Sequence, residues 1–142
     1  MKKRHTLRLL ACLLALCICA APLSALAALP EDTSVSPFYT GVVTVTRSIS
    51  ISNSGCATCY GRIVVRSGYT ADMELELQVS SDDETWSTIK SWTSSGSGTM
   101  TLDKIYFVSS GYYYRVLCTA DIYDGDGNFV EGIAETSGSQ YH

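Results

Sequence analysis

Hydrophobic and polar residues alternate singly through most of the chain beyond residue 38. Val43, Val45, Ile49 and Ile51 are separated by Thr44, Thr46, Ser48, Ser50 and Ser52. A period of two puts the two sets on opposite faces of an extended strand, one buried and one hydroxylated. Arg47 interrupts the apolar row, which predicts a kink or bulge between two short strands. Asn53-Ser54-Gly55 then predicts a turn. A second strand is predicted over 58–66, with Cys59, Gly61, Ile63 and Val65 on one face and Tyr60, Arg62 and Arg66 on the other. In the third, Met73, Leu75, Leu77 and Val79 alternate with Asp72, Glu74, Glu76 and Gln78. A helix would mix these leucines and glutamates on overlapping faces, so the helical reading fails on period.

The turn Ser81-Asp82-Asp83-Glu84 leads to a fourth strand over 86–92, and Ser94-Ser95-Gly96-Ser97-Gly98 reads as a flexible loop. Met100 and Leu102 open a fifth strand that continues through 105–108. Gly111 opens the sixth, where Tyr112, Tyr114, Val116, Cys118, Ala120 and Ile122 share a face. Asp124-Gly125-Asp126-Gly127-Asn128 is a hairpin turn, and 129–135 is the last strand. About seven regularly spaced strands with turn chemistry between them predict an all-β chain. The fold expected is a single antiparallel β-sandwich, immunoglobulin- or fibronectin-III-like. A closed barrel is the alternative, because spacing alone does not separate the two.

The first residues break this pattern. Lys2, Lys3, Arg4 and Arg8 precede an apolar run from Leu9 to Leu23, and Ala25-Leu26-Ala27 supplies small residues for cleavage. That order predicts a secretory signal peptide over 1–27, too short to span a bilayer in comfort. Pro30 and Pro37 bracket an expected linker over 28–38. The sandwich domain is expected over 39–136 and a polar tail over 137–142. A mature chain starting near Ala28 keeps six basic and all fourteen acidic residues, a net charge of −8. Such a chain repels phosphate backbones and anionic lipid, so nucleic acid and membrane are poor partners. The expected location is extracellular, after cleavage.

Three cysteines survive that cleavage: Cys56, Cys59 and Cys118. An oxidising compartment permits a disulfide. Cys59 and Cys118 both lie on the apolar parity of their strands, and a bridge between them is the expected pairing. A local Cys56–Cys59 pair is the alternative, weakened because a reactive pair of that spacing favours a helix N-terminus. Zinc held by the three cysteines and His142 is a third option, which would require ordering a polar end.

No catalytic constellation is visible. The mature chain holds one histidine, His142, at an end expected to fray. No serine has a general base that the sequence can name. Glu74 and Glu76 are candidates for paired-carboxylate hydrolysis, but they share a solvated strand face. A non-enzyme without a cofactor is the expectation. Calcium is the alternative: Asp124, Asp126, Asn128 and Glu135 match four ligand spacings of an EF-hand loop, although Phe129 stands where glycine is needed. The bland reading of that run is a hairpin turn. Trp86 and Trp92 share a parity on the fourth strand, and Tyr113 points away from the Tyr112 and Tyr114 face. These three are the candidate ligand-binding aromatics, able to stack on sugar rings or meet a protein. Core packing is the competing role, above all for Trp92.

The string Gly111-Tyr112-Tyr113-Tyr114-Arg115-Val116, the turn at 124–128 with Glu131 after it, and Leu77-Gln78-Val79-Ser80-Ser81-Asp82 with Trp86 and Trp92 carry a resemblance. Over about residues 39–135 the chain resembles a family of small secreted Firmicute proteins with no assigned activity. The resemblance implies a single exported domain, a Gram-positive source and no catalytic residues. Tyr114 lies four residues before Cys118, whereas the tyrosine corner of immunoglobulin domains lies two before. The function expected is a secreted, non-enzymatic module that binds an extracellular polymer, glycan or protein. The alternatives are a calcium-stabilised domain and a carboxylate-based secreted hydrolase.

Overall fold

The computed structural model describes residues 32–34 and 39–142, so the expected signal peptide lies outside the described residues. Nine strands form two antiparallel sheets: β1 (Asp32–Ser34), β2 (Val42–Ile51), β3 (Cys56–Val65), β4 (Thr70–Ser80), β5 (Ser87–Gly96), β6 (Thr99–Phe107), β7 (Tyr113–Tyr123), β8 (Phe129–Thr136) and β9 (Gln140–Tyr141). The first sheet runs β1-β2-β3-β6. The second runs β5-β4-β7, with β8 and β9 both pairing with the far edge of β7. The sheets pack face to face, with β2 against β7, β3 against β4 and β5 against β6. The fold is a β-sandwich, as the two-residue period predicts.

The core follows that period closely in three strands. Ala57, Cys59, Ile63 and Val65 of β3, Met73, Leu75 and Leu77 of β4, and Tyr114, Val116, Cys118, Ala120 and Ile122 of β7 are all buried. The sheets approach closely at Gly61, where an added Cβ would meet Leu75 Cδ1 at 2.9 Å and Met73 Cε at 3.0 Å. Fully burying one such leucine or methionine contributes about 1.5–3 kcal/mol, which is why these positions fix the register.

The kink expected at Arg47 lies elsewhere. The register of β2 on β3 shifts between Val42 and Thr44, and the extra residue, Val43, is 45% exposed. Beyond that bulge the ladder is regular, and Arg47 sits opposite Gly61 on the inner face. A cation is tolerated there because its Nη2 lies 3.0 Å from Glu135 Oε2 and its Nε donates to the Thr136 carbonyl at 2.7 Å. Tyr39 donates to the other oxygen of Glu135 at 3.3 Å. Burial, first of all, raises the Tyr39 hydroxyl above its ordinary pKa, and the Glu135 charge adds to that.

Both ends of the domain hold more structure than the sequence suggests. Inside the expected linker, β1 pairs with β2 from Asp32 opposite Arg47 to Ser34 opposite Val45. The expected polar tail folds back on β7. The Ser137 amide and hydroxyl exchange hydrogen bonds with Val116 at 2.9 and 3.0 Å, and β9 pairs with Tyr113 and Tyr114. The Gln140 amide then accepts from the Ile51 amide at 3.0 Å, tying this tail to the first sheet. His142 is held through its backbone to Gly111 and Tyr112 rather than fraying.

Candidate ligand-binding face

The outward residues of the second sheet form a polar surface that ends in an aromatic cluster. Register places Asp72, Glu74, Glu76 and Gln78 of β4 beside Asp121, Thr119, Leu117 and Arg115 of β7. Glu76 Oε2 accepts from Thr88 Oγ1 at 2.6 Å and from Gln78 Nε2 at 3.0 Å. That leaves Gln78 Oε1 for Arg115, whose Nε donates to it at 2.9 Å. Gln78 is buried, and its amide is oriented by the acceptor on one side and the donor on the other. The Arg115 guanidinium carbon lies 4.2 Å from the centre of the Trp86 ring. This is cation–π distance, worth about 0.5–1 kcal/mol at an exposed site.

Arginine carries five N–H donors, and only the Nε–H of Arg115 has a protein acceptor among the described residues. No carboxylate lies within ion-pair distance of it among the described residues. Tyr113 shares the outward face with Arg115, two residues and therefore about 7 Å along the strand. Its ring meets Tyr141 edge to face, with centroids 5.0 Å apart.

A tight turn holds Trp86 in place. Asp82 Oδ1 accepts the Thr85 amide at 2.7 Å, the Glu84 amide at 3.0 Å and the Ser80 hydroxyl at 2.8 Å. Those donors, led by the Thr85 amide, hold the Asp82 carboxyl well below the usual carboxylate range. The turn also places Asp83 at φ 61°, a left-handed conformation that aspartate tolerates better than most residues.

The three candidate aromatics separate. Trp86 precedes β5 and lies over Arg115 on the outer face, with Tyr113. Trp92 sits opposite Leu75 on the inner face and packs against the core. A bulge explains the split: Leu77 pairs with Lys90 but Gln78 pairs with Thr88, so Ile89 is an extra residue between the tryptophans. One extra residue inverts the parity that the sequence assigns to them. The strand also runs on through the stretch expected to be a loop, to Gly96.

The expected Cys59–Cys118 bridge is not formed, and Cys56, Cys59 and Cys118 are all free thiols. Both predicted partners point inward and are buried, but β3 lies on β4 while β7 lies under β2. The two thiols are thus offset by one strand. Their surroundings differ accordingly: Asp103 of β6 acts on Cys59, whereas Arg47 of β2 and Glu135 of β8 act on Cys118. Burial pushes the Cys59 thiol up to about 12 and the Cys118 thiol to about 11.

The calcium spacing does not converge in space. Asp124 Oδ1 accepts the Asn128 amide at 2.9 Å and the Asp126 amide at 3.0 Å, closing a hairpin turn. The Asn128 amide, first of all, lowers the Asp124 carboxyl pKa. Glu135 lies opposite Cys118, five residues up the ladder from the Tyr123–Phe129 pair, which is roughly 17 Å. It is engaged there with Arg47 and Tyr39. No group of three or more His, Cys, Asp or Glu that could hold a metal occurs among the described residues. Of the paired-carboxylate candidates, Glu76 is occupied by Gln78 and Thr88.

Arg115, Gln78 and Tyr141 are functional candidates that the sequence reading did not select. A signal existed for Arg115, which shares the outward parity of Tyr113. No protein-family model matches the chain, and no curated protein matches it.

Proposed function

We propose that this chain is an exported, non-enzymatic β-sandwich module that binds an extracellular polymer or protein. The binding face is the end of the second sheet formed by Trp86, Arg115, Tyr113 and Tyr141. The observation that carries this reading is the Arg115 guanidinium stacked on Trp86, fixed through Nε and otherwise unpartnered among the described residues. Rigid aromatic surface beside an oriented cation, held by a sheet and a tight hydrogen-bonded turn, is what a pre-organised binding site requires. The export half of the proposal rests on the basic, apolar and small-residue order of residues 1–27.

Adsorption to insoluble extracellular polymers (peptidoglycan, chitin and cellulose) tests the face. The protein is expected to be depleted from solution by at least one of them, and the double variant W86A/Y113A to remain in solution while still unfolding in one cooperative transition. Equal adsorption of parent and variant would refute this face. Export is tested by the N-terminus of secreted protein, expected near Ala28.

A further inference from the structure

Resting on the reading of this face as a binding site, we propose that its ligand is a carboxylate-bearing sugar, a hexuronic acid residue of an extracellular polysaccharide. Gln78 Oε1 takes the Nε–H, and Trp86 covers one face of the guanidinium. The end-on edge formed by the two Nη groups keeps its parallel donors, the geometry that matches the two oxygens of a carboxylate.

The hydrogen-bond chain behind it removes the usual cost of ordering an arginine. Thr88 and Gln78 converge on Glu76, and the buried Gln78 amide passes that orientation to Arg115. A ligand therefore meets a guanidinium already held in one plane.

Charge selects the kind of anion. Among the described residues one cation without an ion-pair partner stands here, with Glu76 two residues along β4 from the residue that holds it, on a chain with fourteen acids against ten bases. A single carboxylate is compensated by Arg115 alone. A phosphate dianion or a densely sulfated chain would meet uncompensated repulsion.

The aromatic groups select what carries the carboxylate. Trp86 and the edge-to-face Tyr113–Tyr141 pair flank the cation on the same outward face. Tyr141 is 61% exposed and presents apolar ring surface to solvent. A pyranose offers an apolar C–H face for such rings and, when oxidised at C6, a carboxylate at its rim.

Calorimetric titration with a tetrasaccharide carrying a single hexuronate, its methyl ester and a peptide with a free C-terminal carboxylate tests this. The acid is expected to bind at least tenfold more tightly than the ester. R115M should remove that difference, a loss of about 10- to 100-fold for the acid, and R115K, which keeps charge but not the fork, should recover only part of it. Melting curves like the parent's confirm that each variant is folded. If acid and ester bind equally and W86A abolishes both, the sugar-binding face stands and the carboxylate inference falls. If the peptide binds in an Arg115-dependent way and the sugar acid does not, the sugar inference is overturned. If neither sugar probe nor the peptide binds at millimolar concentration, the proposal falls, and the adsorption assay separately decides the face.

Discussion

Arg47 and Arg115 place the same guanidinium on the two sides of the second sheet, in opposite circumstances. Arg47 lies in the seam between the sheets, where Glu135 and the Thr136 carbonyl receive it. Arg115 lies on the outer face, where one neutral amide orients it and an aromatic ring supports it. The first arrangement ties β2 to β8 and leaves little for a ligand. The second adds little to folding and keeps directed donors for something outside the chain. Identical chemistry thus serves cohesion where partners surround it and, on the reading proposed for the outer face, recognition where they do not.

Removing each arginine separates these roles. R47M leaves the Thr136 carbonyl without its side-chain donor and the Glu135 carboxylate with only the Tyr39 hydroxyl, in a seam where the Arg47 and Glu135 side chains are 10% and 23% exposed. A loss of about 2–3 kcal/mol in urea unfolding is expected, below the range for fully buried pairs because water reaches Glu135. R47M/E135L should recover most of it. R115M should cost about 1 kcal/mol, from its cation–π contact and its hydrogen bond to Gln78. Equal losses for the two single variants would erase the distinction.

The tryptophans sharpen it further. W92A opens space against the core and is expected to cost about 2 kcal/mol, short of a fully buried tryptophan. W86A should cost about 0.5–1 kcal/mol. Chemical denaturation of both variants is the check, and a reversed order would contradict the bulge at Ile89.

Thiol accessibility reports the same inside–outside division. Cys59 and Cys118, with thiols pushed to about 12 and 11, carry almost no thiolate at pH 8. Iodoacetamide should label half-exposed Cys56 in the native protein, and Cys59 and Cys118 only after unfolding, as read by site-resolved mass spectrometry. A Cys59–Cys118 crosslink in that experiment would restore the bridge that the strand offset argues against.

The smallest effect concerns the turn beneath Trp86. The carboxyl of Asp82 is held low in the folded state, so the stability it adds is present above its unfolded pKa of about 3.9. That stability is lost as pH falls through the folded value. D82A should melt below the parent at pH 7, and the gap should narrow as pH drops under about 4. A gap independent of pH would remove the charge from the explanation.

The parts legible in the sequence are those where one face of a strand decides everything. Met73, Leu75 and Leu77 against Glu74 and Glu76 admit one arrangement, and the same holds for Val116 to Ile122. Bulges defeat the method, because an extra residue at Val43 or Ile89 inverts every parity beyond it without changing composition. The Arg47 position was legible as an interruption but not as an inward-facing charge, since its partner Glu135 comes from a distant strand. Parity likewise turns Cys59 and Cys118 inward, yet it cannot tell which strand lies across the sandwich. The folding back of the tail is not legible because its pairing uses backbone, the Ser137 hydroxyl and the Gln140 amide, with Tyr141 on Tyr113 as a single ring contact. On the candidate face, Trp86 and Tyr113 could be read outward. The fork of Arg115 could not, because Gln78 and Thr88 define it from two neighbouring strands.

The account stands on the outer face of the second sheet being where this molecule meets its ligand. Two-dimensional 1H–15N NMR during titration with the same single-hexuronate tetrasaccharide addresses that directly. The Arg115 Nε–H, the Gln78 side-chain amide and the Trp86 indole are expected to shift together, with Tyr60, Ile105 and Phe107 of the first sheet unmoved. Shifts gathered around Tyr60, Ile105 and Phe107, with Arg115 unchanged, would contradict it.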